Sequence, residues 1–117
     1  MKEGLCPEER IRKKSEFSFL YKKGCRYRGR YFNLVYLSNN LSFSRMAVVA
    51  SKKVGNAVER NRIKRRLRAL FRTNKGVLEE ALDLLIITKP EIRELTGPGL
   101  KASYLEAAAS LGRPKKK

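Results

Sequence analysis

A helix over residues 57–72 is the arrangement that best sorts this chain's most crowded charges from its apolar side chains. Ile63, Leu67, Leu70 and Phe71 recur at i, i+4, i+7 and i+8, one face of a 3.6-residue period. Asn61, Arg65, Arg68 and Arg72 recur on the far side, and Arg62, Lys64 and Arg66 flank that stripe. Gly55-Asn56 supplies the start, because an Asn oxygen accepts a free backbone N–H of the first turn.

Such a helix buries one side and leaves the other to meet negative charge. Seven Lys or Arg crowd residues 60–72, and Glu59 is the only acid within 51–72. A solvated helix face ordinarily mixes Glu with Lys. Arg dominates here, and its planar fork matches phosphate oxygens and base edges. The whole chain carries +17, and 21 of its 28 Lys/Arg fall within residues 1–75. That asymmetry assigns one side of a single small domain to a polyanion, and self-repulsion predicts partial unfolding at low salt.

The other polyanion is a membrane surface. A peripheral helix presents exposed Trp, Phe or Leu opposite its basic side. Trp is absent, and the apolar face of the central helix is small enough to be the domain's own core. No run reaches the roughly 18 apolar residues of a spanning helix. The first residues contain acids and no apolar stretch, so no signal peptide is read there and a cytoplasmic protein is expected. Cys6 and Cys25 form no Cys-x-x-Cys pair and the chain has no His, so no zinc site is expected. Two thiols fit a reducing compartment, with a disulfide between them left open.

Catalysis by the chain itself finds little support. Metal-free hydrolysis by acid–base catalysis typically recruits a His of near-neutral pKa, and there is none. Two-metal hydrolysis needs clustered carboxylates. The densest group, Glu79, Glu80 and Asp83, reads more simply as a solvated helix end and a strand flank.

Around the central helix the pattern gives seven elements. Ser15 reads as the cap of a short helix with Phe17, Leu20 and Tyr21 on one face, ending at Gly24. Those aromatics are either core or a platform for unpaired bases. Arg26, Arg28 and Arg30 alternate as the basic face of a short exposed strand. Residues 31–38 alternate, with Phe32, Leu34 and Tyr36 opposite Tyr31, Asn33, Val35 and Leu37. In residues 45–51, Met46 and Val48 oppose Ala47 and Val49, whose small side chains leave room on their face. Leu84 to Ile87 form a continuous apolar run, a strand covered on both faces. Residues 90–99 read as a loop with a helical turn, and residues 100–111 as a weakly amphipathic helix. The order α-β-β-β-α-β-α predicts an α+β two-layer sandwich on a four-stranded mixed sheet with three helices. Residues 1–9 are expected to form a flexible arm, 10–112 the domain, and 113–117 a basic tail.

Ser51-Lys52-Lys53-Val54-Gly55-Asn56-Ala57-Val58, running into Arg60-Asn61-Arg62-Ile63-Lys64-Arg65, closely resembles the signature of the bacterial ribonuclease P protein component. The resemblance extends to Glu16-Phe17, to Tyr21 through Gly24, and to residues 83–90. It implies the same element order. It also implies a subunit of a ribonucleoprotein that removes the 5′ leader from precursor tRNA. The implied partners are ribonuclease P RNA, bound 1:1, and the precursor's 5′ leader. The RNA would perform the hydrolysis with Mg2+, and the protein alone would bind no cofactor. Carried onto this chain, the RNA-binding set is Lys52, Lys53, Asn56, Arg60, Asn61, Arg62, Lys64, Arg65 and Arg68. The leader cleft is Phe17, Tyr21, Val35, Ala47 and Val49. Val35 stands where the family often has an aromatic. A structural RNA-binding protein and a duplex-DNA reader remain as alternatives, although a strand, and no partner helix, precedes the central helix.

Overall fold

The computed structural model describes residues 9–78 and 80–111. In chain order it comprises α1 (Lys14–Lys23), β1 (Cys25–Arg28), β2 (Phe32–Ser38), β3 (Arg45–Val49), α2 (Ala57–Thr73), β4 (Leu82–Thr88) and α3 (Gly97–Ala109). The sheet order is β1-β2-β4-β3. β1/β2 and β2/β4 are antiparallel and β3/β4 is parallel, so the sheet is mixed. The parallel pair is joined through α2, as parallel neighbours require a crossover.

Period-two patterning divides the sheet into two unequal faces. Phe32, Leu34 and Tyr36 of β2 join Met46, Val48, Leu84 and Ile86 beneath Leu67 and Phe71 of α2 and Leu100 and Tyr104 of α3. These helices and the sheet are the two main layers. Burial of Phe71, fully enclosed, stabilises the fold by roughly 1.5–3 kcal/mol. On the other face, Val35, Leu37, Ala47 and Leu85 pack against Ile11 and Leu20, with Phe17 at the margin. Here α1 covers only part of the sheet. Gly24 permits its close approach, since a Cβ at that position would lie 2.5 Å from Val35 Cγ1.

Several boundaries differ from those read in the sequence. α1 starts at Lys14, and the residue at its cap is Lys13, not Ser15. The Lys13 carbonyl already accepts from the amides of Glu16 and Phe17, and Glu16 places a negative charge in the first turn. α3 starts three residues earlier than expected, because the Thr96 hydroxyl accepts from the Gly99 amide. Pro98 is then tolerated in the first turn, where its missing N–H has no helical partner to lose. Tyr31 precedes β2 and packs on the α2 side instead of joining Asn33 and Val35. Glu9, assigned to the flexible arm, is buried and paired with Lys75. Residues 1–8 with Cys6, Glu79, and the 113–117 tail lie outside the described residues.

Asp83 is the largest departure. It is no solvated strand flank: it is 2% exposed in the central strand β4. Arg45 of β3 grips it with two bonds, Nε to Oδ1 at 2.9 Å and Nη2 to Oδ2 at 2.7 Å. Arg45 Nη1 reaches Glu16 of α1 at 2.9 Å, and Asn39 Nδ2 donates to Asp83 Oδ1 at 3.1 Å. Hydrogen bonding to Asp83 is the largest influence on the Arg45 guanidinium and raises its pKa above an already high value, outweighing burial.

Removing one partner of a buried pair strands the other charge. Arg45→Ala is therefore expected to lower the unfolding free energy by about 3–5 kcal/mol in urea denaturation. A loss below about 1 kcal/mol would show that Asp83 is satisfied without Arg45. Tyr104 gives a pH test. Its hydroxyl is buried with no partner among the described residues, and burial raises its pKa. Its contribution is complete below the unfolded value of about 10 and is lost as pH rises through the folded value. Tyr104→Phe should gain on the order of 1 kcal/mol at neutral pH and flatten the decline in stability above pH ~10. An unchanged alkaline limb would assign that decline to other groups.

Candidate nucleic-acid interface

Two surfaces meet across the edge strand β3. The first is α2. Asn56 caps it: its Oδ1 accepts from the Glu59 amide at 2.9 Å, while Glu59 Oε1 accepts from the Asn56 amide at 3.1 Å. This reciprocal box holds two amides that the helix itself leaves unpaired. Gly55, at φ 155°, makes the turn into it in a region that disfavours side chains. The Asn-x-x-Glu spacing was visible in the sequence, but Glu59 was read only as the lone acid.

Leu67 and Phe71 are buried, and Ile63 and Leu70 pack at the edge of the core, as the periodicity required. Asn61, Arg62, Arg65 and Arg66 are exposed, whereas Arg60, Lys64 and Arg68 are half-buried beside them. The basic residues do not form one stripe. Arg62 and Arg66 line a groove of about 440 Å3 against Pro90, Ile92 and Arg93, with Arg93 paired to Glu59 at 3.1 Å. Arg68 lies on the other flank. Burial lowers its pKa, and the charge of Arg10 adds to the effect. The Nε atoms of Arg10, Arg60 and Arg72 are buried without a partner among the described residues. Buried donors of this kind ordinarily find an acceptor. Lys52 and Lys53 are exposed on a single 3-10 turn that leads from β3 into α2.

The second surface is the part of the sheet that α1 leaves open. An open groove of about 430 Å3 is lined by Phe17 and Tyr21 of α1 and by Val49, Leu85 and Ile87 of the sheet. Tyr21 is 50% exposed and Val49 39%. Phe17 is half-buried against the smaller apolar cluster, so this face of α1 is divided: Leu20 is core, Tyr21 is exposed, and Phe17 lies between them. Two expected cleft residues are elsewhere. Ala47 is 9% exposed within that cluster, and Val35 is 1% exposed and touches only a neighbouring pocket. Register explains both. Val35, Leu85 and Ala47 form one row across the sheet beneath α1, of which Leu85 alone also lines the groove, and Asn33, Ile87 and Val49 form the next row, beyond its edge. Leu85 and Ile87 were missed because an unbroken apolar run gives no sign that one end of a strand is uncovered.

Among the described residues there is no group of three or more His, Cys, Asp or Glu able to hold a metal, and no helix long and apolar enough to cross a membrane.

A small α+β protein with a capped, arginine-rich helix beside an aromatic-walled groove is thus defined. The family profile described as Ribonuclease P matches residues 5–112. The ribonuclease P protein component of Finegoldia magna is 38% identical over 106 residues, covering 91% of this chain and 93% of the relative. That of Syntrophus aciditrophicus is 43% identical over 85 residues, 73% and 71% of the two chains. The solved ribonuclease P protein of Thermotoga maritima superposes with a TM-score of 0.81 at 28% identity, covering 90% of this chain and 99% of that one. The chain belongs to the ribonuclease P protein family.

The capping box is testable alone. Asn56→Ala removes the acceptor for the Glu59 amide and should cost about 1 kcal/mol of stability, with no change in the denaturant slope. No loss in urea denaturation would mean that Glu59 holds the first turn without it.

Proposed function

We propose that this chain is the protein subunit of ribonuclease P and acts in maturation of the 5′ end of tRNA. In this reading the RNA subunit performs the Mg2+-dependent hydrolysis, and the protein binds that RNA 1:1 in the cytoplasm. It binds no cofactor of its own. The chain also holds the single-stranded 5′ leader of the precursor, which strengthens substrate recognition. The observation that carries the reading is the shared edge strand. Val49 of β3 borders the groove, and Lys52 and Lys53 follow within four residues at the entrance to α2. One polyanion seated on α2 and a second, unpaired strand in the groove would therefore lie side by side.

Roles follow from chemistry. Arg60, Asn61, Arg62, Lys64, Arg65 and Arg68, with Lys52 and Lys53, neutralise phosphates of folded RNA and screen RNA–RNA repulsion. Asn56 serves chiefly by setting the helix start. Tyr21 and Phe17 offer ring faces to leader bases, each worth roughly 1–3 kcal/mol by truncation. The absence of His from the chain agrees with chemistry left to the RNA.

The first test is cleavage of a precursor tRNA by a bacterial ribonuclease P RNA at low Mg2+, with and without the protein. Cleavage at the mature 5′ end only in its presence is expected. Cleavage by the protein alone would overturn the division of labour. Binding to the RNA with no change in cleavage would favour a structural RNA-binding role. Two variants refine the picture. Arg65→Ala should reduce the slope of log K against log salt by about one for binding to that RNA. Tyr21→Ala, at a half-exposed site, should weaken leader-bearing substrate more than mature tRNA, and equal weakening would remove Tyr21 from the leader path.

A further inference from the structure

Beyond Tyr21 the groove continues into a second, chemically different pocket of about 490 Å3. Its walls come from Tyr21, from Arg26 and Arg28 of β1, from Asn33 and Val35 of β2, and from Lys89 after β4. Register brings them together: Arg26 pairs with Val35 and Arg28 with Asn33, and Asn33 in turn pairs with Ile87 of the groove floor. Three cations face this space, and none of its lining residues is an acid.

Three of its polar groups are already oriented. The Arg26 guanidinium lies over the Tyr21 ring, 4.6 Å from its centroid, and Nη2 donates to the Tyr21 carbonyl at 2.5 Å. The guanidinium is therefore stacked on the ring, and the two planar groups form one aromatic–cationic stack. Lys89 Nζ is anchored on the Gly29 carbonyl at 2.6 Å. The Asn33 Oδ1 accepts from the Gly29 amide at 3.3 Å, which turns the Asn33 amide nitrogen, a pure donor, toward other partners. Arg28 is exposed and makes no ion pair among the described residues.

We infer that this pocket is a nucleotide subsite for single-stranded RNA, continuous with the apolar groove, in which Arg28 binds a phosphate and Asn33 donates to an acceptor on a base edge. The Tyr21–Arg26 stack stands between the two compartments and offers an outer face to a base, because guanidinium planes and aromatic rings both stack on unpaired bases. The apolar groove takes ring faces without charge, and this pocket holds the strand's backbone. Its position also accounts for Val35: the side chain is buried at the pocket floor, and the stacking surface is supplied from β1. The inference rests on the leader reading above and adds to it a defined point on the leader's path.

The experiment measures affinity of the reconstituted RNA–protein holoenzyme for precursor tRNAs whose leaders are lengthened one nucleotide at a time. Wild-type protein should show a gain in affinity at the length that reaches the subsite. Arg28→Ala should abolish that gain, about tenfold, while leaving shorter leaders and mature tRNA unaffected, and Arg28→Lys should restore part of it. Asn33→Ala should remove the preference among bases at that position but keep the gain. Equal weakening by Arg28→Ala at every length would overturn the subsite in favour of general attraction. A wild-type gain that Arg28→Ala leaves intact would overturn it while sparing the leader reading. Absence of any leader dependence in wild-type protein would overturn the leader reading itself.

Discussion

Arg45 joins three elements that have no chain connection at that point. Its guanidinium is shared between Asp83 in the middle of the sheet and Glu16 on α1, and only 15% of its side chain is exposed. A buried ion pair recovers its desolvation only with good geometry and further hydrogen bonds. Both are present: the contact with Asp83 is two-pronged, and Asn39 supplies an additional donor. The network fixes α1 over the half of the sheet that carries Leu37, Asp83 and Arg45. The opposite half, ending in Asn33, Ile87 and Val49, stays open for that reason. The groove is therefore the uncovered remainder of a sheet whose other end is locked.

This division also shows which features were legible in the sequence. α2 was legible because everything that defines it is local: the apolar period, the Asn cap and the charge run lie within about 20 residues. The strands and their element order were legible from alternation. What pairs with what was not. Asp83 looked like a strand flank because acids at strand ends usually face water, and its partner Arg45 lies 38 residues earlier. Ala47 was assigned to the cleft from the sheet face it occupies and Val35 from the family resemblance, and both lie on the α1 side of the sheet. Which row of the face α1 covers depends on Glu16, Arg45 and the close approach at Gly24, none of which leaves a periodic signature.

The same reasoning applies to the basic residues of β1. Their alternation marked one charged face, but a strand alone does not say what stands beside it. Only the antiparallel register with β2 sets Arg26 beside Val35 and Arg28 beside Asn33, and only the helix-to-strand turn lays Arg26 on Tyr21. An arginine face that would read as solvated becomes the end wall of a groove.

Charge ties the two surfaces to stability. Arg68 is half-buried within the influence of Arg10, and three buried Nε donors lack partners among the described residues. Arg10 and Arg68 repel, and the Nε donors of Arg10, Arg60 and Arg72 are buried with no acceptor among the described residues. A polyanion seated there would supply the missing acceptors and reduce the repulsion together. Binding that satisfies the native state and not the unfolded chain stabilises the fold by mass action. The repulsion between Arg10 and Arg68 and the unmet Nε donors are thus what a phosphate backbone seated on α2 would relieve.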